Sequence, residues 1–461
     1  MSETTPPPPS SPPDATLRAA VIEGFRAGLT AALNAPSGLD DAGRVEAITA
    51  LEDLVRVATA AQAALARELD ASQRAAQAGA GVPAARQGLG IGAQVALARK
   101  ESHHRGQRHL GLAKVVAAEM PALWAAWRQG KVTEYAATLA ARETACLEVE
   151  DRHEVDRLLA ADPDALDRMS DREVAAFCRR HAARLDAASV VRRQRQAKAD
   201  RRVTIRPAPD AMVYLTALLP VAEGVAAYAA LVGAADRVRA DGSDERGKGQ
   251  VMADTLVSNV LGGHEATGGP RIELGLVMSD QTVFGSADEP AHVDGFGWVP
   301  AELGLEVLAG ALAPGEEVWL RRLYASPRTG ELVAMDSRAR AFPRGLRRFI
   351  RLRDQVCRTP WCGAPIRHHD HAVPVAAGGP TTAGNAQGLC EACNHAKQAP
   401  GWQAQTSPDG DAETGDPKTD DLGTGDIETT TPTGHRHRRR PPVLVSIRRG
   451  APIRLEYVLA T

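Results

Sequence analysis

The sequence predicts an α+β protein: a mostly α-helical N-terminal region, a small mixed α/β middle layer and a compact cysteine-braced C-terminal module, with disordered termini and linker. Three observations lead there. Apolar residues recur at helical spacing from Ala15 to about Ala199, the pattern shortens and alternates after Arg202, and four of the six cysteines fall between 357 and 393. A chain of 461 residues exceeds one ordinary core, so two or three units are expected.

Residues 1–14 form a Pro/Ser tract without an apolar centre, which reads as a disordered leader and neither a signal peptide nor an anchor. Residues 15–200 are a helical domain, carried by stripes such as Ile48, Leu51, Leu54 and Val55, or Leu110, Leu112, Val115 and Val116. The Gly/Pro interval Ala78 to Gly92 separates two helical blocks, and Asp171 opens a further helix with Glu173 near its positive end.

Residues 201–335 read as the mixed α/β part. Val203 and Ile205, then Met212, Tyr214 and Leu218, suggest a strand pair followed by an Ala-rich helix to Ala240. After a surface loop at Asp241 to Lys248 come a helix, Gln250 to Leu261, and a buried strand, Ile272 to Met278. Gly262 to Pro270 and Gly285 to Gly297 are turn-rich. The nearly uncharged stretch Ala211 to Ala235 is interrupted by Pro220 and Glu223, so it reads as a buried strand and a helix and not as a membrane span. No phosphate-cradling glycine loop and no Ser/His/Asp signature stands here.

The net charge of −2 excludes a protein that coats nucleic acid uniformly and directs attention to local basic patches. Only seven of the 55 basic residues are Lys, an excess of Arg that a GC-rich genome also produces. Within residues 336–402 the first patch is an arginine run at 338, 340, 344, 347, 348, 351 and 353. It reads either as a solvated helix face or as a phosphate-contacting one; next to the cysteine cluster, phosphate contact by Arg344, Arg347, Arg348 and Arg351 is the favoured reading. Residues 403–434 are acid-rich and Gly/Thr-rich and read as a disordered linker. Residues 435–461 open with a basic hexamer, His435 to Arg440, which either grips phosphates or keeps a linker soluble, and end in a short hairpin turning at Arg449-Gly450.

Cys357 and Cys362 are separated by four residues, Cys390 and Cys393 by two, with 27 residues between the pairs. In a chain without a secretion signal, and so expected in the cytoplasm, such clustering favours metal over disulfides, and four thiolates suit a closed tetrahedral zinc site. The segment is poor in large apolar residues, so Zn(II) must supply its stability. Between the pairs lie His368, His369, Asp370 and His371, a Gly378-Gly379 turn and Asn385; Asn394, His395 and Lys397 follow the last cysteine. A strand, a Gly-Gly reversal and a return strand would bring Asp370 and His371 opposite the start of a helix near Cys390.

The run DH, P, GG, N, LCxxCN and K, from Cys357 to Trp402, resembles the HNH, or ββα-metal, endonuclease family in its four-cysteine form. The wider pattern is similar to an actinobacterial group in which a long N-terminal domain of unknown function precedes a C-terminal HNH module. The resemblance implies hydrolysis of phosphodiester bonds in DNA, most simply double-stranded, with His371 as general base, a role its near-neutral pKa suits. It implies one catalytic Mg(II) or Mn(II) held by Asp370 and Asn394, with His395 as the alternative ligand, and Asn385 bracing the loop that aims His371. Lys397 reads as a point charge for phosphate or as an exposed helix residue; His369 could share a face with His371 and assist it, but both His368 and His369 read in the first place as surface bystanders. The competing function is a non-catalytic zinc-ribbon DNA-binding or regulatory protein. No membrane partner is expected, and the sequence carries no signature of oligomeric state.

Overall fold

The computed structural model describes residues 19–34, 38–240, 244–261, 275–284, 287–294, 296–311, 341–406 and 426–442. The expected leader, the turn-rich 262–270, Arg338 and Arg340, the middle of the acidic stretch and the hairpin at Arg449-Gly450 lie outside them. The chain is α+β, with its small sheets confined to the middle and C-terminal parts.

Helices fill the first part: α1 (Ala19–Leu33), α2 (Asp41–Gly79), α3 (Ile91–Ala98), α4 (His103–Glu119), α5 (Pro121–Arg128), α6 (Glu134–Glu143), α7 (Val149–Leu159), α8 (Pro163–Asp167), α9 (Asp171–Leu185) and α10 (Ala187–Ala197). Side chains cap several of them. Ser102 accepts from the Arg105 amide, Thr133 from the Ala136 amide, and Ser170 and Glu173 close a reciprocal capping box at α9. The core gathers Val116, Met120, Leu123, Trp127, Val155 and Val174, all essentially buried. The Ile48 to Val55 stripe is helical as read but exposed, with Ile48 at 66%; α2 enters the core only from Ala60 onward.

In the middle part, β1 (Arg202–Pro207) and β2 (Val213–Leu218) pair antiparallel with Ile205 opposite Leu215, and α11 (Val221–Val238) packs on α12 (Lys248–Leu261). The expectation of a buried strand in Ala211 to Ala235 is corrected: β2 forms but is exposed along its length. β3 (Leu276–Val277), α13 (Asp280–Phe284), β4 (Ala291–Val293), β5 (Gly297–Val299) and α14 (Ala301–Ala311) follow, with β3, β4 and β5 forming one antiparallel sheet. Two of these strands fall in or beside the stretch read as turns, because three-residue strands are too short to display alternation.

The C-terminal part holds α15 (Arg344–Asp354), β6 (His368–His371), β7 (Ala386–Leu389), α16 (Glu391–Lys397) and a sheet of β8 (Gln403–Thr406), β9 (Ile427–Thr430) and β10 (Arg436–Arg439) in the order β10-β9-β8. This sheet corrects the reading of 403–434 as linker throughout. The last acids of the linker and the basic hexamer pair with each other: buried Glu428 accepts from Arg438, and buried Asp426 from Arg440, at 2.8 and 3.1 Å. The hexamer is therefore a structural strand whose arginines are already engaged, and composition alone hides such complementarity.

The module sits on the helical domain through α16 against α4 and through Trp402. Gly90, at φ 82°, lies so close to the Trp402 indole that a side chain there would collide with it. Among the described residues no helix is long and apolar enough to cross a membrane.

Candidate functional site

Two cysteines sit on the turn after α15 and two at the start of α16, and the fold draws them together. All four sulfurs lie within 4.8 Å of one another, with Cys362 to Cys390 at 3.7 Å and Cys393 to Cys362 at 3.6 Å. A tetrahedral zinc with Zn–S bonds of about 2.3 Å requires sulfurs about 3.8 Å apart, so the donor set and spacing fit that ion. Side-chain hydrogen bonds from Cys362, Cys390 and Cys393 push the Cys357 thiol far down, and the same crowding pushes Cys393 far up. A dication held by Cys357, Cys362, Cys390 and Cys393 would let all four ionise.

A second clamp was not legible in the sequence. Asp354 and Arg358 have fully buried side chains, and that of Arg353 is 4% exposed. Arg353 donates to Asp354 at 2.7 Å and to the Ala383 and Ala386 carbonyls at 2.6 and 2.7 Å; Arg358 donates to Asp354 at 3.0 Å and to the Arg439 carbonyl at 2.8 Å. Asp354 also accepts from the Gly388 amide at 2.7 Å. Both Asp354 oxygens meet donors, as burial of charge demands. The network ties α15 to β7, to the knuckle and to β10.

Between the clamps, β6 and β7 pair antiparallel with Asp370 opposite Gln387 and His371 opposite Ala386. Gly378 is left-handed at φ 85°, and a side chain on Gly379 would collide with the Val373 carbonyl, so the reversal needs both glycines. Asn385, 5% exposed, spans that loop: Oδ1 accepts from the Val373 amide at 2.8 Å, and Nδ2 donates to the Val373 and Pro380 carbonyls at 3.0 and 2.8 Å.

Asp370 and His371 therefore end a short strand whose loop is pinned, beside a cleft of about 570 Å³ lined by Phe342, Arg347, Arg367, His368, His369, Asp370 and His371. His371 Nε2 lies 2.9 Å from Thr381 Oγ1, and its ring stacks on Phe342 with centroids 4.3 Å apart. Burial pushes the His371 pKa down, favouring the neutral imidazole. Thr381 and Phe342 were missed by sequence reasoning, since neither residue type nor spacing marks them.

Of the two readings of Lys397, phosphate contact and an exposed helix residue, the second does not hold. The Lys397 ammonium lies 2.5 Å from Asp370 Oδ2 and also donates to the His371 carbonyl, and its side chain is 12% exposed. Asn394 lies one turn before Lys397 on the same face of α16. His395 is exposed and meets His368, with ring centroids 6.3 Å apart. Among the described residues the four cysteines are the one group of three or more His, Cys, Asp or Glu whose ligand atoms converge. Among the described residues that line this cleft, Asp370 is the one carboxylate.

Arg344, Arg347, Arg348 and Arg351 share one face of α15 and line a second cavity of about 510 Å³ with Asp294 and His369. Arg347 and His369 belong to both cavities, so the arginine face runs into the Asp370–His371 cleft. Arg351 Nε lies 3.5 Å from Asp294. Arg353 faces the other way and belongs to the buried network.

Comparison with known proteins supplies one match: residues 357–399 fit the family model described as HNH endonuclease. No curated protein and no solved structure matches the chain. The matched span contains the four cysteines, both strands of the hairpin, the glycine reversal, Asn385 and α16. Residues 357–399 of this chain thus match the HNH endonuclease family and are built on a four-cysteine site that fits zinc.

Proposed function

We propose that the chain is an endonuclease that hydrolyses phosphodiester bonds in DNA, most simply double-stranded, with His371 as general base. The observation that carries this reading is the placement of Asp370 and His371 at the end of a pinned strand, in a cleft continuous with a face of four arginines. The arginines neutralise and position backbone phosphates. His371 is kept neutral by burial and stands ready to take a proton from a water molecule that attacks phosphorus. Asn385 aims it by fixing the loop beyond β6.

Asp370 and Asn394, on facing elements, would hold one divalent ion such as Mg(II) or Mn(II); His395, turned toward His368, is the weaker candidate. An ion bound there supplies positive charge to the phosphate and the leaving oxygen. The zinc is structural in this reading, because four thiolates leave it no open position.

Plasmid nicking by zinc-loaded protein with Mg(II) or Mn(II) tests the proposal. Wild type should nick, and His371→Ala should keep its zinc and fold while losing cleavage; equal nicking by that variant sinks the assignment. The ion pair between Lys397 and Asp370 favours one competing reading, a zinc-ribbon DNA-binding protein without turnover, because an ammonium already neutralises the carboxylate. DNA retention that is indifferent to added Mg(II) or Mn(II), with no nicking, would establish it.

A further inference from the structure

We propose that the β1–β2 hairpin and α11 form the interface between two copies of this chain. Residues directly opposite in an antiparallel pair share a face. Ile205 stands opposite Leu215 and Val203 opposite Ala217, with Val213 two residues before Leu215, so these five make one wholly apolar face. Arg202, Thr204, Arg206 and Thr216 stand on the other, where the Arg206 guanidinium lies over the Tyr214 ring at 4.1 Å. The polar face suits water and partly covers itself. The apolar face is open: Ile205 is 68% and Leu215 54% exposed.

A two-stranded sheet is marginal on its own and needs its hydrophobic face packed against something. Among the described residues nothing packs there, since β1 and β2 make a sheet of two strands and every residue of both is exposed. α11 begins three residues beyond β2 and continues the pattern, with Val221, Val225 and Tyr228 exposed at the spacing of one helix face. From Val203 to Leu261 sixteen large apolar side chains are exposed, whereas Ala235 and Val251 are the buried residues of that stretch among those described.

The size and composition of this surface select the occupant. Side chains in that number, about half exposed, present on the order of 1,000 Å² of apolar surface. That exceeds the roughly 300–600 Å² of the largest patch on a typical monomer and suffices for the roughly 800 Å² that each partner buries in a stable interface. Partners that come and go meet through surfaces about as polar as the rest of a protein, whereas homodimer interfaces are more apolar. No charged residue occurs from 211 to 222, so this surface offers nothing to a phosphate backbone or to an acidic or basic peptide. A second copy brings the same apolar face and closes the contact by two-fold symmetry. For cleavage the consequence rests on the nuclease reading: a two-fold pair carries two Asp370–His371 clefts, the number needed to cut both strands of a duplex.

Zinc-loaded full-length protein should have the mass of two chains by light scattering and sedimentation equilibrium. Ile205→Lys and Val225→Lys should each weaken association at least about 10-fold, because the two-fold sets like charges against each other in an apolar contact. Ile48→Lys, comparably exposed on α2 at 66%, should leave association unchanged. Hydrogen exchange within 203–218 should be slow in the wild-type dimer and speed up on dilution, a readout that needs no variant to fold. A one-chain mass at every concentration up to on the order of 100 µM would assign the face to another occupant and overturn the proposal, as would a dimer that both β1 and α11 variants leave intact. A dimer lost only in Ile48→Lys would place the contact on α2 and overturn it equally. None of these measurements involves cleavage, so an inactive protein refutes the nuclease reading while mass and exchange still decide the interface.

Discussion

The Lys397 ammonium occupies the side of Asp370 that faces α16, 2.5 Å from Oδ2, and donates in addition to the His371 carbonyl. A divalent ion bound by Asp370 must therefore displace or outcompete a resident cation. Replacing Lys397 by Met removes the competitor and keeps the methylene stem. We expect Mn(II) affinity to rise roughly 3- to 10-fold, the scale of one partly exposed ion pair, as read by electron paramagnetic resonance titration of zinc-loaded protein. Unchanged or weaker Mn(II) binding would show that Lys397 does not compete.

Asp354 lies between two buried guanidinium groups, and its removal strands both. Asp354→Asn should cost about 3 to 5 kcal/mol, measured by denaturant unfolding of the zinc-loaded protein at neutral pH. Burial alone would raise its pKa, but Arg353 and Arg358 prevail and hold the carboxyl below the usual carboxylate range. A depressed folded-state pKa stabilises above the unfolded value of about 3.9 and is lost as pH falls through the folded value. The stability gap between wild type and Asp354→Asn should therefore be full at pH 6 and narrow below about pH 4. A gap that widens on acidification would contradict the assignment.

Zinc removal should dissect the chain. The helical core around Trp127 shares no residue with the cysteine cluster, whereas Cys357, Cys362, Leu389, Cys390 and Cys393 form a cluster of their own. Binding of structural zinc is worth on the order of 10 kcal/mol to a small domain, more than this module can replace. Treatment with 1,10-phenanthroline should abolish protease resistance and hydrogen-exchange protection in 357–399 while α4 to α9 stay protected. Simultaneous loss of both would show that the two parts fold as one.

Much of the module was legible because its chemistry is tied to residue type at fixed spacing: thiolates in two pairs, Gly-Gly where the chain must reverse, Asp-His before it and Asn after it. The contacts that complete the site were not. Phe342 lies far upstream of His371, and Thr381 is one of two adjacent threonines, so nothing in the string selects either. Arg353 read like its neighbours because a charge run does not announce burial. Strands β8 to β10 were hidden for a related reason: an acidic stretch and a basic hexamer look like separate solvated segments until pairing places Glu428 beside Arg438. The exposed apolar face of β1 and β2 shows the converse, since alternation found the strands and could not tell whether anything covers them.

The split of the arginine run gives the last prediction. Positions 344, 347, 348 and 351 recur at the spacing of one helix face and line the cavity that joins the His371 cleft, whereas Arg353 points into the interior. Substituting Ala for Arg344 or Arg347 should weaken DNA binding across all sequences and reduce the slope of log affinity against log salt by roughly 0.9 for each phosphate contact removed, with stability unchanged. Arg353→Ala should do the reverse, lowering the melting temperature sharply because Asp354 loses one of its two guanidinium partners and the Ala383 and Ala386 carbonyls lose a buried donor. Asp294 sharpens the contrast, because its carboxylate faces Arg351 at 3.5 Å and would repel a phosphate brought to that face. Asp294→Asn should tighten DNA binding a fewfold at low salt, and the gain should shrink as added salt screens the charge. Fluorescence anisotropy with a labelled duplex at several salt concentrations measures the two binding effects, and thermal denaturation measures that of Arg353→Ala; an Arg344→Ala protein with an unchanged salt slope would mean that the exposed face of α15 is only a solvated one.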